Sequence, residues 1–362
     1  MDGNQKRVLV AMSGGVDSSV AAWRLLEQGY SCVGVTMKLF GGEAANLDGG
    51  HPCCTLDDVE DAREVARKLG IPHYVFNFTD DFEEKVVRRF IDAYERGETP
   101  NPCVDCNRFL KFDKLYRRAM ELGCDYIATG HYAQILEDGA GGFRLAKAAD
   151  PSRDQSYVLC PIPRERLAHT LFPLGGLTKD QVRSIAEAQG FVNARKRDSQ
   201  DICFVPDGDY LAFMERHTGK TYPAGDIVDM DGRVVGRHRG AAGLTIGQRR
   251  GVGVSSGGRI YVCAKCMADN TVTVGPEEAL YSTGCIAADW NWLIPVPDAP
   301  FAALAKTRYR QTEQPAAIIP EGDRVRLSFA QPQRAVTPGQ AAVAYDENGV
   351  VLGGGGIIEV IK

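Results

Sequence analysis

The chain has 362 residues, 44% hydrophobic and 25% charged, with a formal net charge of -5. That length exceeds one ordinary core and indicates two or three globular domains, while ordinary apolar content without short repeats excludes disordered, collagen-like and coiled-coil chains. The mildly acidic balance excludes a uniformly basic nucleic-acid binder, though not a local basic surface.

In chain order, residues 7–11 form a β-rich run, 17–28 a helix closed by Gly29, and 31–37 a second strand ending in a Gly-rich loop. Strand, helix and strand within about thirty residues make a parallel crossover unit. Thr55 to Asp58 has the form of an N-cap box, and Val59, Ala62, Ala66 and Leu69 share a helical face as far as Gly70. A strand at 73–78, a helix at 82–94 and a strand at 125–129 continue the alternation. The expected fold is α/β, a doubly wound parallel sheet with its ligand site outside the carboxyl ends of the strands. From about residue 207 glycines multiply and helical periodicity fades, as in a small mixed or β domain with runs at 227–228 and 259–262. Beyond the Pro-rich stretch 294–300, runs at 301–310, 324–329, 341–345 and 357–361 read as a compact C-terminal β-barrel. Domains at 1–206, 207–283 and 284–362 are expected. With no leader pattern and no window near the roughly 20 apolar residues of a membrane helix, a cytoplasmic location is expected.

Directly after the first strand, Ala11-Met12-Ser13-Gly14-Gly15-Val16-Asp17-Ser18 leads into a helix. Adjacent glycines let backbone approach an anion, and Ser13, Ser18 and the amides of the helix start can donate to it. Asp17 would repel phosphate and is assigned to Mg²⁺ bridging the phosphate oxygens. The loop lacks the Walker ending and the dinucleotide fingerprint; it resembles the PP-loop of ATP pyrophosphatases, which adenylate a carbonyl oxygen. Met37, at the end of the second strand, and Gly130, after the strand 125–129, lie where an adenosine would be held.

Eleven cysteines, an odd number, argue against a disulfide framework. Cys32, Cys124, Cys160 and Cys285 read as core, and Cys53-Cys54 as local packing. Cys106 follows a Pro-bounded loop at a helix start with Arg108 and Lys111 one turn away, which favours thiolate. Cys203 sits in a short β-like run after Arg195, Lys196 and Arg197. Cys263 and Cys266 form a Cys-x-x-Cys, with structural zinc as its less favoured reading.

The PP-loop, Asn101-Pro102 to Cys106-Asn107, Ala128 to Tyr132, Asp154 to Tyr157, Asp198 to Phe204, Thr245 to Arg249, Lys306 to Gln311 and Thr337 to Gln340 occur in the order seen in bacterial tRNA-specific 2-thiouridylases, which the whole chain resembles. The resemblance implies ATP-dependent replacement of the C2 oxygen of a tRNA wobble uridine by sulfur. It implies that Cys203 carries a persulfide delivered by a sulfur donor or relay protein, and that Cys106 is the nucleophile that releases the sulfur, closing a transient disulfide. Asn101, Pro102 and Cys103 would meet the target base, with His131, Arg153, Asp154, Gln155, Arg308, Tyr309 and Gln340 on the tRNA. Cys103 stands where the family commonly has an acidic residue, so a second reading has Cys103, Cys106 and Cys203 holding a [4Fe–4S] cluster. Between residues 231 and 269 seven basic residues, Arg233, Arg237, Arg239, Arg249, Arg250, Arg259 and Lys265, face no acidic one and suggest an RNA-backbone surface. A PP-loop amide or amidine ligase acting on a small molecule, and a non-catalytic RNA-binding protein, are the alternatives.

Overall fold

A computed structural model describes residues 5–40, 56–196, 202–254 and 258–362. The N-cap expected at Thr55, the Cys53-Cys54 pair and Asp198 to Asp201 lie outside these residues. Among the described residues no helix is long and apolar enough to cross a membrane.

One compact unit comprises Met1–Val86, Cys103–Asp207 and Asn348–Val351. In it β1 (Arg7–Ala11) is followed by α1 (Val16–Glu27), β2 (Ser31–Lys38), α2 (Leu56–Leu69), β3 (His73–Asn77) and β4 (Tyr126–Ala128); a hairpin, β5 (Ala133–Glu137) and β6 (Phe143–Lys147), precedes β7 (Thr170–Leu171). The main sheet runs β3-β2-β1-β4-β7 with every neighbouring pair parallel, the expected α/β arrangement. Val8 and Val10 of β1 join a buried cluster with Val20 and Leu25 of α1, Val65 of α2 and Val182 of the helix Lys179–Ala188. Because side chains alternate across a strand, the fully buried Leu9 packs on the opposite face. The chain order reverses between β2 and β4 on either side of β1, which makes the β1–β4 crevice the switch point where such sheets take ligands. Of the two edges β7 is two residues long, whereas β3 leaves Tyr74 and Val75 exposed.

Two predicted helices are broken in detail. Residues 79–95 comprise a short turn Thr79–Phe82, a π-helical stretch Glu83–Val87 and an α-helix Arg88–Glu95. Residues 102–121 comprise Pro102–Asp105, a ten-residue π-helix Cys106–Leu115 and an α-helix Tyr116–Glu121. Leu122 is the C-cap of this last helix and is exposed.

The second unit comprises Val87–Pro102, Gly208–Glu347 and Leu352–Lys362. After the helix Tyr210–Thr218 comes a four-stranded sheet, β10 (Tyr261–Cys266)-β11 (Thr271–Gly275)-β8 (Gly225–Val228)-β9 (Val234–His238). The six strands β12 (Tyr281–Trp292), β13 (Phe301–Lys306), β14 (Gln314–Glu321), β15 (Arg324–Arg334), β16 (Ala341–Tyr345) and β17 (Val351–Ile361) close as β12-β15-β14-β13-β16-β17. Ala287, Ile318, Leu327, Ala344 and Ile357 share the apolar core of this barrel. The sequence reading missed β12 and β14. Prolines at 315 and 320 obscure β14, yet they pair as residues of its ends, opposite Leu304 and Val325.

Candidate functional site

The loop between β1 and α1 is shaped by its own side chains. Gly14 has φ +74°, and a Cβ there would run into the Asp58 backbone, 2.7 Å from Asp58 Cα. The Ser18 hydroxyl donates to Gly15 O at 3.0 Å and accepts from Ser13 N–H at 3.2 Å; Ser19 Oγ also donates to Gly15 O, at 3.1 Å. No side chain caps α1 at its N-cap Gly15, an arrangement with which a helix start can take an external anion. Gly130 just past β4 closes the other wall: a Cβ would lie 2.8 Å from Ser18 N, so only glycine lets this strand end meet the helix start. Met12, Val16 and Met37, expected at the nucleotide, bury their side chains. Met12 is also fixed by backbone bonds, donating to Val35 O at 2.8 Å and accepting from the Thr36 hydroxyl at 2.7 Å. Thr36 in turn meets His73 Nε2 at 2.9 Å, and burial holds the His73 pKa below its usual value.

Asp17, assigned to Mg²⁺ from the sequence, meets two donors of the protein: its oxygens accept from Lys179 Nζ at 2.7 and 2.8 Å, and Oδ1 also from the Tyr132 hydroxyl at 2.8 Å. The sequence reading missed Lys179. It is the first residue of its helix, fixed there by a capping box in which Thr178 accepts from Gln181 N–H and Gln181 Oε1 accepts from Thr178 N–H. A buried cation at a helix N-terminus opposes the helix dipole and needs an anionic partner, which Asp17 supplies. The T-x-x-Q spacing was the available signal.

Cys106 and Cys203 are both half-buried and belong to the same compact unit as the phosphate loop, whereas Cys103 is exposed. Cys106 opens the π-helix, and the next residue, buried Asn107, donates to Val158 O at 2.8 Å. Cys203 lies in a turn, not the expected β-like run; it is followed by buried Phe204 and Val205, with Phe204 edge-on to Phe82 at 5.7 Å. Burial pushes the thiols of Cys32, Cys160 and Cys285 up to about 12, which fits core packing. Among the described residues no group of three or more His, Cys, Asp or Glu side chains is placed to hold a metal ion. The cluster expected on Cys103, Cys106 and Cys203, and zinc on the Cys-x-x-Cys pairs, therefore lack an assembled ligand set. In β10, Cys263 turns its Sγ to Tyr261 O while Cys266 turns to Asp269.

The residues assigned to tRNA are largely engaged within the protein. His131 is buried; its Nδ1 lies 2.6 Å from Thr129 Oγ1 and its Nε2 3.3 Å from Lys111 Nζ, and burial followed by that ammonium holds its pKa well below the usual value. The imidazole is therefore neutral, with Nε2 accepting from the lysine and Nδ1–H donating to Thr129. Asp154 accepts from Ala148 N–H, Ser156 N–H and the Ser156 hydroxyl, and Gln155 exchanges two bonds with the Tyr132 backbone. Arg153 is half-buried beside them.

In the second unit, Gln340 Nε2 donates to Thr99 O at 2.7 Å and Thr99 N–H to Pro338 O at 2.9 Å, which fixes the approach to half-buried Asn101 and buried Pro102. Gly339, at φ +88°, makes this clasp feasible, since a Cβ would come within 3.0 Å of Thr99 N. Arg308 donates to Ala335 O, Ile246 O and Thr337 Oγ1 at 2.7 to 2.9 Å, joining barrel to central sheet beside half-buried Tyr309.

The basic stretch also narrows. Arg233, Arg237 and Arg239 pair with Asp231, Asp226 and Asp209, and Lys265 donates to Leu244 O. Exposed Arg249, Arg250 and Arg259 form no ion pair among the described residues.

Comparison with known proteins agrees along the whole chain. Residues 6–207 match the model described as the tRNA methyl transferase HUP domain, 211–276 the tRNA methyl transferase PRC-barrel domain and 282–358 the aminomethyltransferase beta-barrel domain. A tRNA-specific 2-thiouridylase MnmA of Geotalea uraniireducens is 47% identical over 362 residues, 99% of this chain and 96% of that one. Those of Magnetococcus marinus and Symbiobacterium thermophilum are each 48% identical, over 98% of this chain and 99% and 92% of theirs. With matches running from residue 6 to residue 358 and relatives this similar over nearly their full length, the chain belongs to the tRNA-specific 2-thiouridylase family.

Proposed function

We propose that this chain is an ATP-dependent tRNA-uridine 2-sulfurtransferase acting on the wobble uridine in the cytoplasm, with its domains divided at 206/207 and 283/284. One observation carries the reading: a phosphate-binding loop at the sheet's switch point shares a compact unit with two half-buried thiols that a simple ligase would not require. The anion cradle of Ser13 to Ser18 holds the ATP phosphates, and Gly130 lets the neighbouring strand end close on them. Mg²⁺ travels with the phosphates and is assigned no protein ligand. Attack of the uridine C2 oxygen on the α-phosphorus forms a C–O–P bond and expels pyrophosphate, so the oxygen can later leave within AMP.

A sulfur donor of the cysteine-desulfurase type loads Cys203 as a persulfide. The Cys106 thiolate attacks the Cys203 sulfur, which forms the Cys106–Cys203 disulfide and expels hydrosulfide. The hydrosulfide adds to C2, AMP departs and 2-thiouridine remains. A dithiol reductant then returns two electrons to the disulfide. The base must leave its stack to reach the thiols, at a cost of a few kcal/mol. Asn101, Pro102 and Cys103 receive it. Arg153 and Tyr309 meet the tRNA, while His131, Asp154, Gln155, Arg308 and Gln340 hold the segments that do so. The exposed Arg249, Arg250 and Arg259 meet its phosphates.

The test is thiolation of purified tRNA with ATP and a persulfide donor, read by mass spectrometry of the nucleosides. Wild type forms 2-thiouridine and AMP in equal amounts, and Cys203→Ala forms none. Full thiolation by Cys203→Ala would overturn the carrier assignment, and turnover of ATP on a small amide acceptor without tRNA would favour the ligase alternative.

A further inference from the structure

Gly14 is gripped by residues from two distant segments. On one side, Asn193 Nδ2 donates to Gly14 O at 2.9 Å and to Ser19 Oγ at 3.0 Å, and Ser19 Oγ itself donates to Gly15 O. On the other, the Asp58 backbone fills the space where a Gly14 side chain would stand. Lys196 joins the two sides. Three residues after Asn193, its ammonium bonds Asp58 Oδ1 at 2.6 Å and Asp61 Oδ2 at 2.5 Å. These carboxylates raise the Lys196 pKa against the opposing effect of burial, so the bridge stays charged. The path Gly14–Asp58–Lys196–Asn193–Gly14 is a closed ring around the loop.

The ring fixes which way the loop amides point. A trans peptide is planar, with its N–H directed opposite its carbonyl. Tying Gly14 O toward Asn193 therefore turns Gly15 N–H the other way, and tying Gly15 O to the Ser18 and Ser19 hydroxyls does the same for Val16 N–H. Both amides at the start of α1 are thereby held in fixed directions, on either side of Gly15, whose backbone is extended at φ −88°, ψ 159°. Asn193 is 2% exposed and, among the described residues, its Oδ1 has no hydrogen-bond partner, a penalty carried by a side chain whose amide serves the loop.

We infer that Asn193 and Lys196 are positioning residues that preset the glycine amides for the nucleotide phosphates. The inference rests on the proposal that this loop binds ATP. Neither residue touches the nucleotide; each acts through Gly14.

The experiment measures binding of α,β-methylene-ATP to the full chain by calorimetry, alongside KM for ATP and for tRNA and the melting temperature. In Asn193→Asp the donor facing Gly14 O becomes an acceptor, and nucleotide affinity falls at least thirtyfold while KM for tRNA stays within twofold. Lys196→Met weakens the nucleotide at least fivefold, and Lys196→Arg, which can bridge both carboxylates, restores it to within twofold. If Asn193→Asp does not fold, the Lys196 pair decides. Affinity within twofold of wild type in both Asn193→Asp and Lys196→Met overturns the inference alone. Parallel loss for ATP and tRNA overturns it in favour of a general structural role. A wild-type chain that does not bind the nucleotide overturns the functional reading together with it.

Discussion

Lys179→Met removes the ammonium from the phosphate loop while nearly keeping side-chain bulk. Asp17 then retains the Tyr132 hydroxyl but no cation at 2.7 to 2.8 Å. Removing one partner of a buried ion pair costs about 3–5 kcal/mol. The Lys179 side chain is 7% exposed but Asp17 is 31% exposed, so water recovers part of the loss and about 3 kcal/mol is expected. At about 2–4 °C per kcal/mol for a domain of this size, melting falls by about 6–12 °C. The uncompensated carboxylate also repels the nucleotide: at about 5 Å and an effective dielectric of about 20, a unit charge contributes about 3 kcal/mol, or roughly a hundredfold in kcat/KM for ATP. Pyrophosphate release with saturating tRNA measures this, and calorimetry measures the melting shift. The variant Asp17→Asn/Lys179→Met removes both charges and should recover most of the melting temperature, a coupling of at least about 1.5 kcal/mol in the cycle. The reasoning is refuted if Lys179→Met keeps kcat/KM for ATP within threefold of wild type, or if the cycle shows no coupling.

Gly130→Ala, whose methyl would lie 2.8 Å from Ser18 N, should cost at least tenfold in ATP affinity with little change in tRNA affinity; calorimetric titration of each ligand decides it. The ammonium of half-buried Lys265 lies 5.6 Å from the centre of the Tyr94 ring, and desolvation lowers its pKa to about 8. Between pH 8 and 10.5 the unfolded chain therefore holds the extra proton, and stability rises with pH by at most about 3 kcal/mol relative to Lys265→Met, as urea unfolding at stepped pH would show. His131 has the same sign of shift at lower pH. As pH falls below 6.5 the unfolded state protonates first and stability drops by about 1 kcal/mol per unit more than in His131→Asn, while the His131 resonances of the folded protein keep their neutral positions where an ordinary imidazole titrates.

The phosphate loop was legible because its requirements are local: two glycines, flanking hydroxyls and a strand-to-helix junction lie within ten residues. The parallel sheet and the existence of a C-terminal barrel followed from periodicity for the same reason. Lys179 and Asn193 escaped because their meaning depends on partners 162 and 179 residues away. Isolated from the fold, one is a polar residue at a helix start and the other a loop amide. The ion pair of Asp17 was hidden by the same limitation, since its sequence neighbours gave no sign of a cation arriving from beyond β7. Arg308 and Gln340 were named as outward contacts because a motif marks position without saying which way a side chain faces. Their bonds to Ala335, Ile246 and Thr99, which no local motif reveals, also tie the protein to itself.

The two sheet systems also differ in how they end. The barrel has no free strand edge, whereas the five-stranded parallel sheet finishes at β3 with Tyr74 and Val75 exposed and neither proline nor lysine in the strand to blunt the edge, and the four-stranded sheet finishes at β9 with Val234 and Val235 exposed. Self-association during overexpression, heating or partial unfolding should therefore start at these two open edges. A lysine in place of Val75 would be the first change to make in preparing this protein at high concentration, because it burdens the exposed edge with a charge far in sequence from the phosphate loop and both reactive thiols.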